Sequence, residues 1–257
     1  MTRMRSLTAA LGILLGGLVQ AQQPFQTWLT YNHQARLARK WGYTFDLNHR
    51  TSGVFPFTSI LSAARVGAIY HVGPALRITA GYAWFGTNVS GRDQLLLHEN
   101  RLYYQGQYNH GSGKVNINHR IRIEHRWRQQ FVSSDPDITI RTRTDRYRYL
   151  IQFDGPLTRD PSARILWRWK AINEIFLHTN ASEDFALFDQ NRTLAGVSLG
   201  PNGGNMHLAV LYQLIAQQQP LSREMLVIHS VRLTLFHNLD LRKRKPEPMP
   251  DHEPAVE

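Results

Sequence analysis

The chain has 257 residues, a formal charge of +11 and 42% hydrophobic residues, enough for one buried core and without a composition break that would divide it into two domains. It contains no cysteine, which excludes a disulfide framework, thiolate catalysis and cysteine metal ligation. Past the N-terminal segment no apolar run reaches the roughly 18 residues of a spanning helix, so helical membrane crossing is excluded as well.

Arg3 and Arg5 precede an apolar stretch from Leu7 to Val19, and Val19-Gln20-Ala21 offers a small-residue exit. This is the pattern of a secretory signal peptide over residues 1–21, and Gly12, Gly16 and Gly17 argue against a membrane anchor. The mature chain then begins at Gln22, and from there the repeating signal has period two. Trp41, Tyr43, Phe45 and Leu47 alternate with Gly42, Thr44, Asp46 and Asn48. Leu76, Ile78, Ala80, Tyr82 and Trp84 alternate with Arg77, Thr79, Gly81, Ala83 and Phe85. The purest case follows, with Val115, Ile117, His119, Ile121, Ile123, His125 and Trp127 on one face and Asn116, Asn118, Arg120, Arg122, Glu124, Arg126 and Arg128 on the other. A helix would mix these two sets, whereas a strand separates them. Ile165, Trp167, Trp169 and Ala171 oppose Arg164, Leu166, Arg168 and Lys170; Leu208, Val210, Tyr212 and Leu214 share a face; and Val231, Leu233 and Leu235 oppose Arg232, Thr234 and Phe236.

Tight reversals are marked by Gly73-Pro74, His110-Gly111-Ser112-Gly113 and Pro201-Asn202-Gly203-Gly204. Longer connections fall near 51–58, 86–97, 131–137, 178–187 and 217–224, so short and long connections alternate as in bacterial barrels with short periplasmic turns. The expectation is an all-β, antiparallel up-and-down transmembrane β-barrel of about 10–12 strands over residues 22–241, placed in the bacterial outer membrane. About eleven strands can be counted. Because bacterial barrels carry an even number, ten or twelve are expected, with the miscount near the N-terminus or in 138–153, where the alternation changes phase between Ile140 and Tyr147. Trp28, Trp41, Tyr43, Tyr82, Trp84, Trp127, Tyr147, Tyr149, Trp167 and Trp169 lie near strand ends, where an interfacial aromatic girdle is expected. Residues 242–257, a basic run followed by four prolines and four acids, read as a disordered polar tail.

Without signal and tail, 24 Lys and Arg stand against 15 Asp and Glu, so the basicity belongs to the folded body. For an exported chain this points away from nucleic acid and toward outer-membrane lipid, phosphate-bearing lipopolysaccharide or small anions.

Glu99-Asn100-Arg101, the strand Arg120-Ile121-Arg122-Ile123-Glu124-His125-Arg126-Trp127, Arg146-Tyr147-Arg148-Tyr149, Asn173-Glu174-Ile175-Phe176-Leu177 and Phe188-Asp189-Gln190-Asn191-Arg192 resemble, in order and spacing, domain-of-unknown-function family 2490 of Gram-negative bacteria. The resemblance covers roughly residues 28–240. It implies an exported outer-membrane β-barrel of uncharacterised role that meets the barrel-assembly machinery during insertion, and it brings no catalytic residue or cofactor. The polar tail departs from an aromatic-ended last strand, which here has to end near Phe236.

The candidate site is the polar face itself: Arg101, Arg120, Arg122, Glu124, Arg126, Arg128, Arg146, Arg148, Arg168, Lys170, Glu174 and Arg192 as lumen-lining residues. Toward lipid each cation costs ~2–4 kcal/mol at mid-membrane, so a lumen is the place for them. Two readings stay open: a narrow cationic pore for anions, or a lumen plugged by guanidinium-carboxylate pairs with Glu99, Glu124, Glu174 and Asp189. Alternatives are an outer-membrane lipid-modifying enzyme using Ser112 beside His110, which the hairpin glycines argue against, and a soluble periplasmic β-barrel binding an anionic ligand. His119 and His125 stand about 20 Å apart along a strand, too far to share a metal ion. No catalytic, cofactor-binding or metal-binding residue is assigned.

Overall fold

The computed structural model describes residues 25–53, 57–89, 96–132, 135–179, 187–219 and 224–242, with side chains 132–138 left aside. The expected signal peptide and all of the tail beyond Arg242 lie outside these residues. The chain forms eleven strands: β1 (Gln26–Arg36), β2 (Trp41–Ser52), β3 (Thr58–His71), β4 (Leu76–Asn88), β5 (Leu96–Ser112), β6 (Val115–Val132), β7 (Asp135–Pro156), β8 (Ile165–His178), β9 (Phe188–Pro201), β10 (Met206–Gln218) and β11 (Met225–Asp240). Each pairs antiparallel with its sequence neighbour, and β1 closes the barrel against β11.

The closing pair is parallel, from Gln26 opposite Ser230 to Arg36 opposite Asp240. An odd number of up-and-down strands leaves the first and last pointing the same way, so eleven strands and a parallel seam are one fact. This corrects the expectation of ten or twelve: no hairpin was misread. Phe25 and Leu241 consequently sit at opposite ends of the barrel. The connections 37–40, 72–75, 113–114, 157–164 and 202–205 gather at the end where β11 stops; the other five gather where β1 starts. Gly113, at φ 62°, provides the left-handed step that the β5–β6 turn requires.

The phase change in 138–153 has a physical cause. β6 and β7 run 18 and 22 residues, but β5 pairs with β6 only as far as Arg128 and β8 pairs with β7 only from Arg146. Beyond those points the two strands form a ribbon that leaves the barrel wall, where Ile140, Arg141 and Arg143 are all exposed and no interior enforces alternation. The last strand ends at Asp240 rather than near Phe236, and Phe236 is fully buried, its ring 4.6 Å from that of His207. Arg242 turns back to donate to both oxygens of Asp240.

One close approach fixes the wall of β3–β5. Gly67 and Gly81 are opposite partners, and the Tyr103 ring lies across them; a Cβ on Gly81 would meet the Val66 carbonyl oxygen at 2.4 Å and the Tyr103 ring at 2.5 Å. Neither backbone nor a buried ring can yield that much, so Gly81→Val is expected to cost about 1–3 kcal/mol or more. The urea midpoint of the folded protein measures it, and an unchanged midpoint would contradict the packing described.

Candidate functional site

The barrel is inverted relative to a soluble protein. Arg120 and Arg122 are 1% and 6% exposed, while Ile121 between them is 58% exposed. The same alternation sets Leu47, Val66, Ile78, Leu102, Tyr147, Trp167, Leu208 and Tyr212 on the outside. Of the expected girdle, Trp28 is the exception: it is buried inside the barrel rather than on the outer wall, because β1 places its even-numbered residues inward. His119 and His125 are on the outer face, where His119 meets the Tyr149 hydroxyl at 2.9 Å and His125 faces Asp145 at 2.8 Å. On that same outer wall an apolar groove of about 530 Å³ runs over the seam, with Leu29, Leu47, Ala64, Trp84 and Leu233 among its lining residues.

Inside, two carboxylates organise the charge. Glu124 Oε2 accepts from Arg146 Nη2 at 2.6 Å and Nε at 3.0 Å, and its Oε1 accepts from Arg148 Nη1 at 2.7 Å. Arg101 and Arg122 lie at 3.6 and 3.8 Å from the same carboxylate. Glu174 Oε1 accepts from Arg120 Nη2 at 2.6 Å and Arg148 Nε at 2.8 Å. Arg146 continues to Asp189 at 2.7 Å, so Arg120, Glu174, Arg148, Glu124, Arg146 and Asp189 form one chain of charge-assisted hydrogen bonds across β6–β9. Glu99 receives Arg101 Nε at 2.7 Å and Arg126 Nε at 2.6 Å, with Arg128 3.8 Å away. Arg168 pairs with Asp154 at 2.5 Å. Strand register produces these contacts, since Glu124 is directly opposite Arg146 and Arg101 is opposite Arg126.

Among the sequence candidates, Arg101, Arg120, Arg122, Glu124, Arg126, Arg146, Arg148, Lys170, Glu174 and Arg192 are buried in the interior, and Arg128 and Arg168 stand partly exposed at its two ends. Sequence reasoning missed Asp46 with Arg65, joined at 2.5 Å across β2 and β3, and the lone cations Arg77 and Arg232. It also missed that the interior is partly apolar: Leu150, Ile172, Leu194, Leu211 and Phe236 pack as a cluster on the β7–β11 side.

Aromatic rings also hold guanidiniums, both ones paired with carboxylates and ones that are not. Arg101 Cζ sits 3.6 Å above the Phe85 centroid; Arg146, Arg148 and Arg192 surround Phe176 at 4.9, 4.4 and 4.4 Å; and Arg50, Arg192 and Arg232 surround Trp28 at 3.6, 5.1 and 5.6 Å. One interior cavity, between Asn32, Gln34, Tyr103, Gln107 and Arg120, holds about 30 Å³, room for a water molecule. Eleven buried cationic side chains face five buried carboxylates among the described residues. Two unit charges about 8 Å apart repel by roughly 2 kcal/mol at an effective dielectric near 20, so this surplus is a standing cost to the fold.

Ser112 is the last residue of β5, opposite Val115, and makes no hydrogen bond to a histidine among the described residues. His110 instead stacks its ring on His119 on the outer wall, 5.3 Å away.

The family described as Protein of unknown function (DUF2490) matches residues 25–224, from the start of β1 to the end of the β10–β11 connection. The chain belongs to that family. Strand β11, which supplies the seam and Arg232, falls beyond the matched residues. No curated protein and no solved structure matches the chain. The family match therefore fixes kinship, and the reading of this DUF2490 barrel rests on its own interior and exterior.

Proposed function

We propose that this DUF2490 protein is a barrel of the bacterial outer membrane whose interior is closed by its own ion pairs, and that it acts without enzymatic chemistry. The observation that carries this reading is the inverted polarity: an apolar outer wall around an interior of guanidinium-carboxylate pairs. In water such a wall would expose a continuous apolar belt, whereas in lipid it is the favoured face. Closure is favoured over a conducting pore because Arg120, Arg146 and Arg148 extend into the interior to carboxylates on other strands, and a cavity beside Arg120 holds only about 30 Å³. In this reading the short-connection end faces the periplasm, and the β6–β7 ribbon rises from the outer face.

The absence of cysteine makes the test direct. Asn88→Cys stands at the long-connection end and Lys114→Cys at the short one. A membrane-impermeant maleimide is expected to label the first variant on intact cells and the second only after the outer membrane is breached, with both proteins in the detergent-extracted outer-membrane fraction. Recovery in the soluble fraction would sink the membrane reading, and the reverse labelling order would sink the orientation.

A further inference from the structure

The interior contains three arginines that the ion-pair network does not absorb. Among the described residues no carboxylate comes within 4.0 Å of Arg50, Arg192 or Arg232, yet all three guanidinium carbons lie within 5.6 Å of the Trp28 ring centroid. Register explains the convergence: Trp28 on β1 is directly opposite Arg50 on β2 and Arg232 on β11, and Arg192 reaches in from β9. Arg50 Nε donates to Asn48 Oδ1 and Arg192 Nε to Gln190 Oε1, both at 2.9 Å, which sets the planes of these guanidiniums and leaves their terminal nitrogens without a hydrogen bond among the described residues. Arg232 is 1% exposed, and its Nε and Nη2 make none among those residues. The Trp28 indole N–H is occupied by Gln26 Oε1 at 2.9 Å, so the ring offers the cations its faces.

A second observation points to the same place. Gln213, on the strand between Arg192 and Arg232, is completely buried, and neither its amide oxygen nor its amide nitrogen has a partner among the described residues. It is opposite Leu194 on β9 and Ser230 on β11, one inward-facing position along from each of the two arginines. A buried amide and a buried guanidinium without acceptors are costly in a folded interior, and here they stand on adjacent strands one inward-facing position apart.

We propose that Arg50, Arg192 and Arg232, assembled on Trp28 with Gln213 beside them, form a binding site for a phosphate group. Guanidinium forks match the oxygen spacing of phosphate, a dianion offsets two of the three charges, and the Gln213 amide nitrogen supplies a neutral donor. Trp28 is the third residue of β1, and Arg50, which is partly exposed, stands near the end of β2, so the site lies toward the long-connection end. It requires no passage through the barrel and therefore stands apart from whether the lumen conducts. The same chemistry is offered by free inorganic phosphate and by the phosphomonoester of a lipid headgroup.

The test is calorimetry on the full chain folded in detergent, with inorganic phosphate as one probe and dihexanoyl phosphatidic acid as the other, each variant first confirmed as folded by heat-modifiable migration. Saturable binding of one phosphate per barrel is expected, weakened about tenfold or more by Arg232→Gln and unchanged by Lys114→Gln at the opposite end. Should Arg232→Gln fail to fold, Arg50→Gln at the rim replaces it. Tighter binding of the phosphatidic acid assigns the site to a lipid headgroup, and binding of inorganic phosphate alone assigns it to the free anion. A structural role alone would not move the second readout: without phosphate, Arg232→Gln melts higher than the parent because like charges are relieved, and added phosphate raises the melting temperature of the parent only. No saturable binding of either probe up to roughly 10 mM, or undiminished binding by the folded variant, overturns the proposal.

Discussion

Exchanging Glu124 for glutamine destabilises the barrel by about 3–5 kcal/mol, the scale for breaking a buried charge cluster by removing one partner. The carboxylate is 2% exposed, accepts hydrogen bonds from Arg146 and Arg148 and has Arg101 and Arg122 within 4 Å. A neutral amide in its place leaves four guanidiniums facing one another in an interior that already holds more cations than anions. The asymmetry is diagnostic: Glu124→Leu combined with Arg146→Met removes charge of both signs and is expected to cost much less than either change alone. Urea midpoints in detergent measure both. A Glu124→Gln midpoint equal to that of the parent would show that the network does not hold the fold together.

The second large effect concerns passage. The parent protein is expected to give no resolved conductance steps in a planar bilayer, whereas the triple variant Glu124→Ala, Arg146→Ala, Arg148→Ala gives stepwise conductance with a preference for anions. These three side chains are struts that tie together the neighbouring strands β6, β7, β8 and β9 inside the barrel. Removing them together deletes these struts and empties interior volume while Arg101, Arg120, Arg122 and Arg126 continue to set a positive potential. Conductance in the parent equal to that of the variant would mean that the struts do not close the barrel.

The strands were legible because each has one face that tolerates almost no polar residue, as Val115 to Trp127 demonstrates. The same logic found most of the charged interior, since Arg120, Arg122, Glu124 and Arg126 fall on one face of one strand. It could not find Arg65, Arg77 or Arg232, each a single cation in a strand whose other residues look ordinary. Trp28 was assigned to the wrong face because an aromatic residue near a strand end reads alike whether it meets lipid or interior; only its in-phase relation to Asn32 and Gln34, also buried, distinguishes the two. The count of about eleven strands holds, and only the expectation of an even total fails, for a different reason. Parity is not written in any local pattern but in the pairing of Gln26–Arg36 with Ser230–Asp240. The apolar cluster around Leu150 and Phe236 was likewise hidden, because alternation locates a face without saying what that face touches.

The parallel seam also imposes an order of events in time. Every other pairing joins strands that follow one another in the sequence and can form as hairpins, with short loops to close. The β1–β11 ladder alone requires the two ends of the described chain to meet, so its loop entropy is recovered only when nearly all the rest is in place. Until then the β1 and β11 edges present unpaired backbone groups to any strand that arrives first. A parallel ladder is also somewhat weaker per residue than an antiparallel one. The seam is thus the last bond line to form and the first to part, and the lifetime of the closed barrel is set there.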